Sequence, residues 1–101
     1  MKNLIIFGTG EMSYIATKYF SKQREIKYYC VDDEFFMDTE FLSKKVIKFN
    51  DLKKIDNQKY DIYIALAYSN LNKTRQNAYI KIKQLGFNFA SYIDSRSFID
   101  D

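Results

Sequence analysis

Near its N-terminus the 101-residue chain reads Leu4-Ile5-Ile6-Phe7-Gly8-Thr9-Gly10-Glu11-Met12-Ser13. The first four of these residues are apolar, which is typical of a central parallel strand covered on both faces. Gly8 and Gly10 interrupt the run. Glu11 then suits the first turn of a helix, because its negative charge faces the positive end of the helix dipole. The segment therefore predicts a strand, a tight turn and a helix.

The turn has the spacing G-x-G-x-x-S, in the strand-to-helix context that a dinucleotide-binding fingerprint requires. Gly8 permits a tight turn, and Gly10 lets the backbone approach a phosphate without an intervening Cβ atom. The free N–H groups of the first helical turn then face the anion. Ser13 replaces the third glycine of that fingerprint, where strand and helix pack closely. The alternative is a plain strand–helix connection that binds no ligand.

The rest of the chain continues to alternate strands with helices, which indicates a parallel sheet with helices on both faces. The predicted class is a single small α/β domain with a Rossmann-like sheet. Predicted strands cover residues 1–7, 26–31, 45–49, 61–67 and 87–93, and predicted helices cover 11–22, 50–55 and 70–85.

Composition excludes several function classes. The net charge of +3 is too small to indicate a nucleic-acid groove or a membrane surface, and no apolar run is long enough to cross a membrane. The single cysteine, Cys30, excludes an internal disulfide, so we expect a cytoplasmic protein. The absence of histidine removes the commonest general base and metal ligand, so neither a catalytic residue nor a metal site is assigned.

Two further segments carry candidate binding groups. Asp32 and Asp33 end the second predicted strand, about 20 residues after the turn, where a carboxylate binds a ribose hydroxyl in dinucleotide enzymes. Alternatively, they only terminate the strand. Ser69 and Asn70 follow the fourth predicted strand, next to the glycine turn if the strand order reverses there. Arg75 is predicted on the sheet-facing side of the following helix, where it would bind a phosphate or only pack its stem.

The order of these motifs resembles a known family along essentially the whole chain. It is that of the sugar acyltransferases of the sialic-acid O-acetyltransferase and bacillosamine N-acetyltransferase type. The resemblance rests on five segments: 5–10, 31–33, 64–70, Arg75 and 89–93. It implies a Rossmann-like front domain that holds the nucleotide part of a nucleotide-linked sugar, in bacterial surface glycan biosynthesis. A trimeric left-handed β-helix that binds acetyl-CoA and carries a histidine base follows this domain in the family.

The resemblance implies residue roles and a domain boundary. The phosphates or nearby sugar would meet Gly8, Thr9, Gly10, Glu11 and Met12, and the base or ribose would lie by Asp32 and Asp33. The opposite wall would consist of Tyr68, Ser69, Asn70 and Arg75. Residues 1–93 would form the nucleotide-sugar-binding domain, and residues 94–101 the start of a linker toward the β-helix.

The sequence departs from the family at five positions. Met12 and Ser13 stand where a histidine and a glycine are common, and Tyr68 where a small residue is usual. Asp94 and Ser95 replace a histidine and a proline.

The sequence is therefore compatible with three functions. The first is a domain that binds a UDP- or dTDP-linked amino sugar for an acetyl-CoA-dependent N- or O-acyltransferase, without a cofactor of its own. The second is an NAD-binding domain of a dehydrogenase or redox sensor, against which Ser13 counts. The third is a non-catalytic interaction module with an exposed apolar patch from Phe35, Phe36 and Phe41.

Overall fold

A computed structural model describes residues 2–66 and 72–90 of the chain. In this part of the chain six strands form one sheet, in the spatial order β3-β4-β2-β1-β5-β6. The strands are β1 (Asn3–Phe7), β2 (Ile26–Val31), β3 (Glu40–Phe41), β4 (Lys44–Lys48), β5 (Tyr60–Ile64) and β6 (Asn88–Phe89). The helices are α1 (Glu11–Phe20), α2 (Phe49–Leu52) and α3 (Asn72–Gln84), with a 3₁₀ turn at Asp33–Phe35.

The strand order reverses at β1, which lies between β2 and β5 and is parallel to both. Chain order runs outward from β1 through β2 to β4, and then returns to β5 on the other side. The carboxyl ends of β1 and β5 therefore flank the crevice in which α/β sheets bind their ligands. The predicted α/β class and its mostly parallel sheet are confirmed.

Two apolar layers cover the two faces of the sheet. Leu4 and Ile6 pack on the side of α1, whereas Ile5 and Phe7 pack on the side of α2 and α3. All four side chains are buried, which explains the continuous apolar run of β1. On α1, the buried residues are Ser13, Ala16 and Phe20, whereas Ile15 is exposed.

A hairpin on the edge of the sheet was absent from the sequence prediction. β3 pairs antiparallel with β4 through a turn at Leu42 and Ser43, which both have positive φ. Glycine or asparagine normally occupies such positions, so the turn carried no sequence signal. The predicted second helix was also too long, because α2 begins at Phe49 and ends at Leu52. Within the described ranges, no helix combines the length and apolar character needed to cross a membrane.

Cys30 should make the domain sensitive to alkaline pH. Its thiol lies fully buried in β2, and burial raises its pKa well above the ordinary value of 9.0, with a smaller contribution from Asp32. The thiol's contribution to stability is therefore complete below pH 9, and it is lost as the unfolded chain ionises above that pH. We expect a loss of about 1.4 kcal/mol between pH 8 and pH 10.

Urea unfolding of the wild type and of Cys30→Ala at pH 8, 9 and 10 measures this loss. The substitution removes the thiol and leaves every other ionisable group in place, so any other pH dependence is common to both proteins. Only the wild type should therefore show the extra alkaline slope. Equal slopes in the two proteins would contradict the assignment.

Candidate functional site

The turn after β1 requires its first glycine for structural reasons. Gly8 has φ +127°, and a Cβ atom there would lie 2.7 Å from the carbonyl oxygen of Ala65. Two backbone hydrogen bonds fix the surrounding chain. The N–H of Gly8 donates to the carbonyl oxygen of Cys30 at 2.8 Å, and the N–H of Ala65 donates to the carbonyl oxygen of Phe7 at 2.9 Å. The backbone after β5 thus touches the turn after β1, as the predicted strand reversal requires.

The second glycine has no such structural role. Gly10 precedes α1 with φ −94°, and a Cβ atom there would meet no described atom within 4 Å. It is exposed, as is Glu11 in the first turn of α1, whereas Thr9 and Met12 are partly buried. The open side of Gly10 therefore lies at the start of a ten-residue helix. The N–H of Ser13 donates to the Gly10 carbonyl oxygen at 3.0 Å, whereas the N–H groups of Glu11 and Met12 precede the first hydrogen bonds of the helix.

Ser13 occupies the close contact between β1 and α1. Its side chain is fully buried, and its Oγ lies 3.2 Å from the position of a Cβ atom at Gly8. The hydroxyl has no hydrogen-bond partner among the described residues. Serine therefore fills the place of the third glycine of the fingerprint without separating strand and helix.

The two aspartates after β2 are each held by another element. Asp32 accepts a hydrogen bond on Oδ1 from the ammonium group of Lys81 in α3. Asp33 accepts one on Oδ1 from the backbone N–H of Asn50 in α2, at 3.0 Å. Each carboxylate keeps a second oxygen that takes no described partner.

These aspartates line a cleft at this edge of the sheet, the larger of the two cavities whose linings the described residues provide. The volume of this cleft is about 590 Å³. The side chain of Phe35 is 65% exposed. The Nζ atom of Lys81 lies over the ring of Phe49, 4.3 Å from the ring centroid. The described lining comprises Asp32, Asp33, Glu34, Phe35, Phe49, Asn50, Asn77, Ala78 and Lys81. The cleft thus combines aromatic surface, hydrogen-bonding groups of both kinds and a net negative charge.

A smaller cavity of about 190 Å³ lies on the other side of Phe35 and includes Thr9. The apolar patch expected of an interaction module is formed only in part. Phe35 and Met37 are exposed, whereas Phe36 and Phe41 pack partly against the core. Among the described residues, no cluster of three potential ligands is arranged to hold a metal ion.

The opposite wall of the predicted site is only partly described. Tyr68, Ser69 and Asn70 lie outside the described residues. Arg75 lies in α3 with a partly buried side chain. The structure thus brings the glycine turn and the end of β5 together. It places Asp32 and Asp33 directly after β2, the strand that pairs with β1 on the other side.

Sequence reasoning missed the contributions of α2 and α3 to the cleft. Lys81 lies 49 positions from Asp32, and the lysine-rich C-terminal part of α3 is typical of any solvent-exposed helix end. Asn50 carried no binding signal, because it stands at the start of the predicted helix over residues 50–55. Asn77 lies on α3 without any local motif. These three residues reach the aspartates only because the strand order places α2 and α3 beside the end of β2.

The fold is similar to that of a solved structure. That structure is the acetyltransferase domain of PglB from Neisseria gonorrhoeae FA1090, in complex with acetyl coenzyme A, with a TM-score of 0.65 and 17% sequence identity. The similarity covers 85% of this chain and 40% of that chain. At this identity it shows a common fold. No family model and no curated protein sequence matches the chain.

Proposed function

We propose that this domain binds the nucleotide part of a nucleotide-linked amino sugar for a sugar N- or O-acyltransferase. The nucleotide is UDP or dTDP, its phosphates lie at Gly8–Gly10, and its nucleoside extends toward Asp32 and Asp33. This domain positions the substrate, and the acyl-transfer chemistry takes place elsewhere in the enzyme. A likeness in fold to one acetyltransferase domain supports the choice of enzyme class.

The observation that carries the proposal is the contrast between the two glycines of the turn. Gly8 is explained by strain and by the Ala65 carbonyl, but no described neighbour explains Gly10. Its missing side chain leaves room beside the N-terminus of α1. An anion placed there would gain backbone hydrogen bonds and a favourable helix dipole. The turn also lies at the strand reversal, where such ligands bind.

Acetyl-CoA does not fit the described cleft. The ribose of that cofactor carries an extra phosphate, and the cleft has three carboxylates, from Asp32, Asp33 and Glu34, against one ammonium group. Like charges would repel the phosphate. We therefore assign no acetyl-CoA contact to these residues, and the proposal places the acyl donor outside this domain.

NMR chemical-shift titrations of the ¹⁵N-labelled chain with UDP, dTDP and NAD test the proposal. Gly10→Val should weaken UDP or dTDP binding at least tenfold, because its side chain would occupy the phosphate position. The fold should persist, since no described atom lies within 4 Å of the position that a Cβ atom takes at residue 10.

Ile80→Val is the matched control, because it alters an exposed side chain of α3 that does not line the cleft. It should leave binding unchanged. Preferential NAD binding would support the dinucleotide function instead. If none of the three nucleotides shifts the resonances of the turn, the proposal is wrong.

A further inference from the structure

We propose that the hairpin of β3 and β4, together with the neighbouring side of α1, is a self-complementary surface through which two copies of this chain associate. The inference goes beyond the proposed function, which uses neither the hairpin nor the outer side of α1. It predicts a reversible dimer with twofold symmetry that forms without any nucleotide.

Exposed apolar side chains are concentrated on this surface. Tyr14 on α1 is 53% exposed, Met37 is 87% exposed, and Leu42 in the hairpin turn is 41% exposed. The rings of Tyr14 and Phe41 are in contact, with centroids 5.1 Å apart, so α1 and β3 form one continuous surface. Met37 and Phe41 line the same small cavity. Clustered apolar groups of this kind are typical of a contact with another protein.

Leu42 is the part of this surface that the folded chain by itself explains least. It has φ +48°, and Ser43 after it has φ +68°, values that glycine or asparagine adopts at a lower cost than leucine. An exposed leucine also gains little from burial within its own chain. It lines neither of the two cavities formed by the described residues. Contact with a second copy would bury this side chain and offset the cost of its backbone conformation.

Charges of both signs flank the apolar centre and point to a second copy as the occupant. The exposed carboxylates of Asp38 and Glu40 lie on the β3 side of the turn, whereas Lys44 and Lys45 lie on the β4 side. Glu40 is opposite Lys45 in the hairpin, yet none of these four residues joins an ion pair with another described residue. A partner of a single charge sign would match only half of the surface.

A twofold axis matches both halves at once. If the axis passes through the turn, perpendicular to the plane of the hairpin, the acidic strand of one copy faces the basic strand of the other. The same rotation brings the two leucines at position 42 together at the centre. Exposed charges of this kind contribute little affinity but select the partner and its orientation, so the apolar centre supplies most of the binding.

Sedimentation equilibrium of the full chain over a series of concentrations tests the inference. We expect Leu42→Asn to weaken the dimer at least tenfold, because the symmetry removes two leucine contacts with one substitution. The fold should persist, since asparagine tolerates a positive φ better than leucine does. Ile80→Asn is the matched control: it replaces an exposed aliphatic side chain on α3 and should leave the dimer unchanged.

A pair of charge variants tests the twofold arrangement. The first carries Asp38→Lys and Glu40→Lys, and the second carries Lys44→Glu and Lys45→Glu. Each variant alone should stay monomeric, because its surface then bears one charge sign and repels its copy. An equimolar mixture should form a heterodimer at least as tightly as the wild type dimerises.

Circular dichroism verifies the fold of every variant, so that a loss of association is not mistaken for unfolding. A wild-type chain that stays monomeric at every concentration would overturn the inference. A dimer that Leu42→Asn leaves intact would show that another surface forms it and would overturn the inference as well. Charge variants that fail to associate when mixed would rule out the twofold pairing of the acidic and basic strands.

Discussion

Replacement of Gly8 by alanine should lower the free energy of unfolding by about 3 to 4 kcal/mol. Two effects add. A φ of +127° is a conformation that residues with a side chain rarely adopt, and the new Cβ atom would approach the Ala65 oxygen to 2.7 Å. This oxygen cannot easily move away, because the neighbouring Ala65 N–H is bonded to Phe7 as a continuation of the β1–β5 ladder. Urea denaturation followed by circular dichroism measures the loss.

Gly10→Ala is the internal control for this prediction. It makes the same chemical change two residues away, at a φ of −94° that alanine adopts readily and with no described atom within 4 Å. Its cost should be limited to the weaker helix N-cap, at most about 1 kcal/mol. If both variants lose similar stability, the assignment of different roles to the two glycines is incorrect.

The glycine turn and the central strands were predictable because their signals are local. A continuous apolar run such as Leu4 to Phe7 is required wherever a strand is buried on both faces, and a glycine is required where φ is positive. The edge of the sheet carried weaker signals. Leu42 and Ser43 adopt positive φ without the residues that normally announce it, and β3 has only two residues, so the hairpin was not predicted.

The candidate site was predictable only in the parts that lie on strand ends. Asp32 and Asp33 follow a strong strand, so their place at the carboxyl edge of the sheet followed from the pattern. Their partners did not, because Lys81 and Asn50 reach them from helices whose positions depend on the full strand order. Sequence spacing along α3 gives the face on which Lys81 lies, but not the loop that this face meets.

At the edge of the sheet opposite to the glycine turn, a largely enclosed ion pair ties the loop between α1 and β2 to β5. Arg24 donates from Nη1 to Asp61 Oδ2 at 3.0 Å and to the carbonyl oxygen of Lys2 at 3.2 Å. The side chains of Arg24 and Asp61 are only 10% and 16% exposed. The Lys2 ammonium, 3.7 Å from Asp61 Oδ1, is more exposed and contributes less. Removal of the carboxylate would therefore leave a guanidinium group buried without its counter-ion.

We expect Asp61→Ala to lower the free energy of unfolding by about 3 kcal/mol, since an unpaired buried charge costs more than the pair contributes. The double variant Asp61→Ala with Arg24→Met should lose less than Asp61→Ala alone, because methionine removes the charge and retains an apolar stem. Urea denaturation of the wild type, both single variants and the double variant completes the cycle. If the two single losses add in the double variant, the pair behaves as a solvent-screened surface bridge. A loss that persists in 1 M salt distinguishes the buried pair, since salt screens enclosed charges far less than exposed ones.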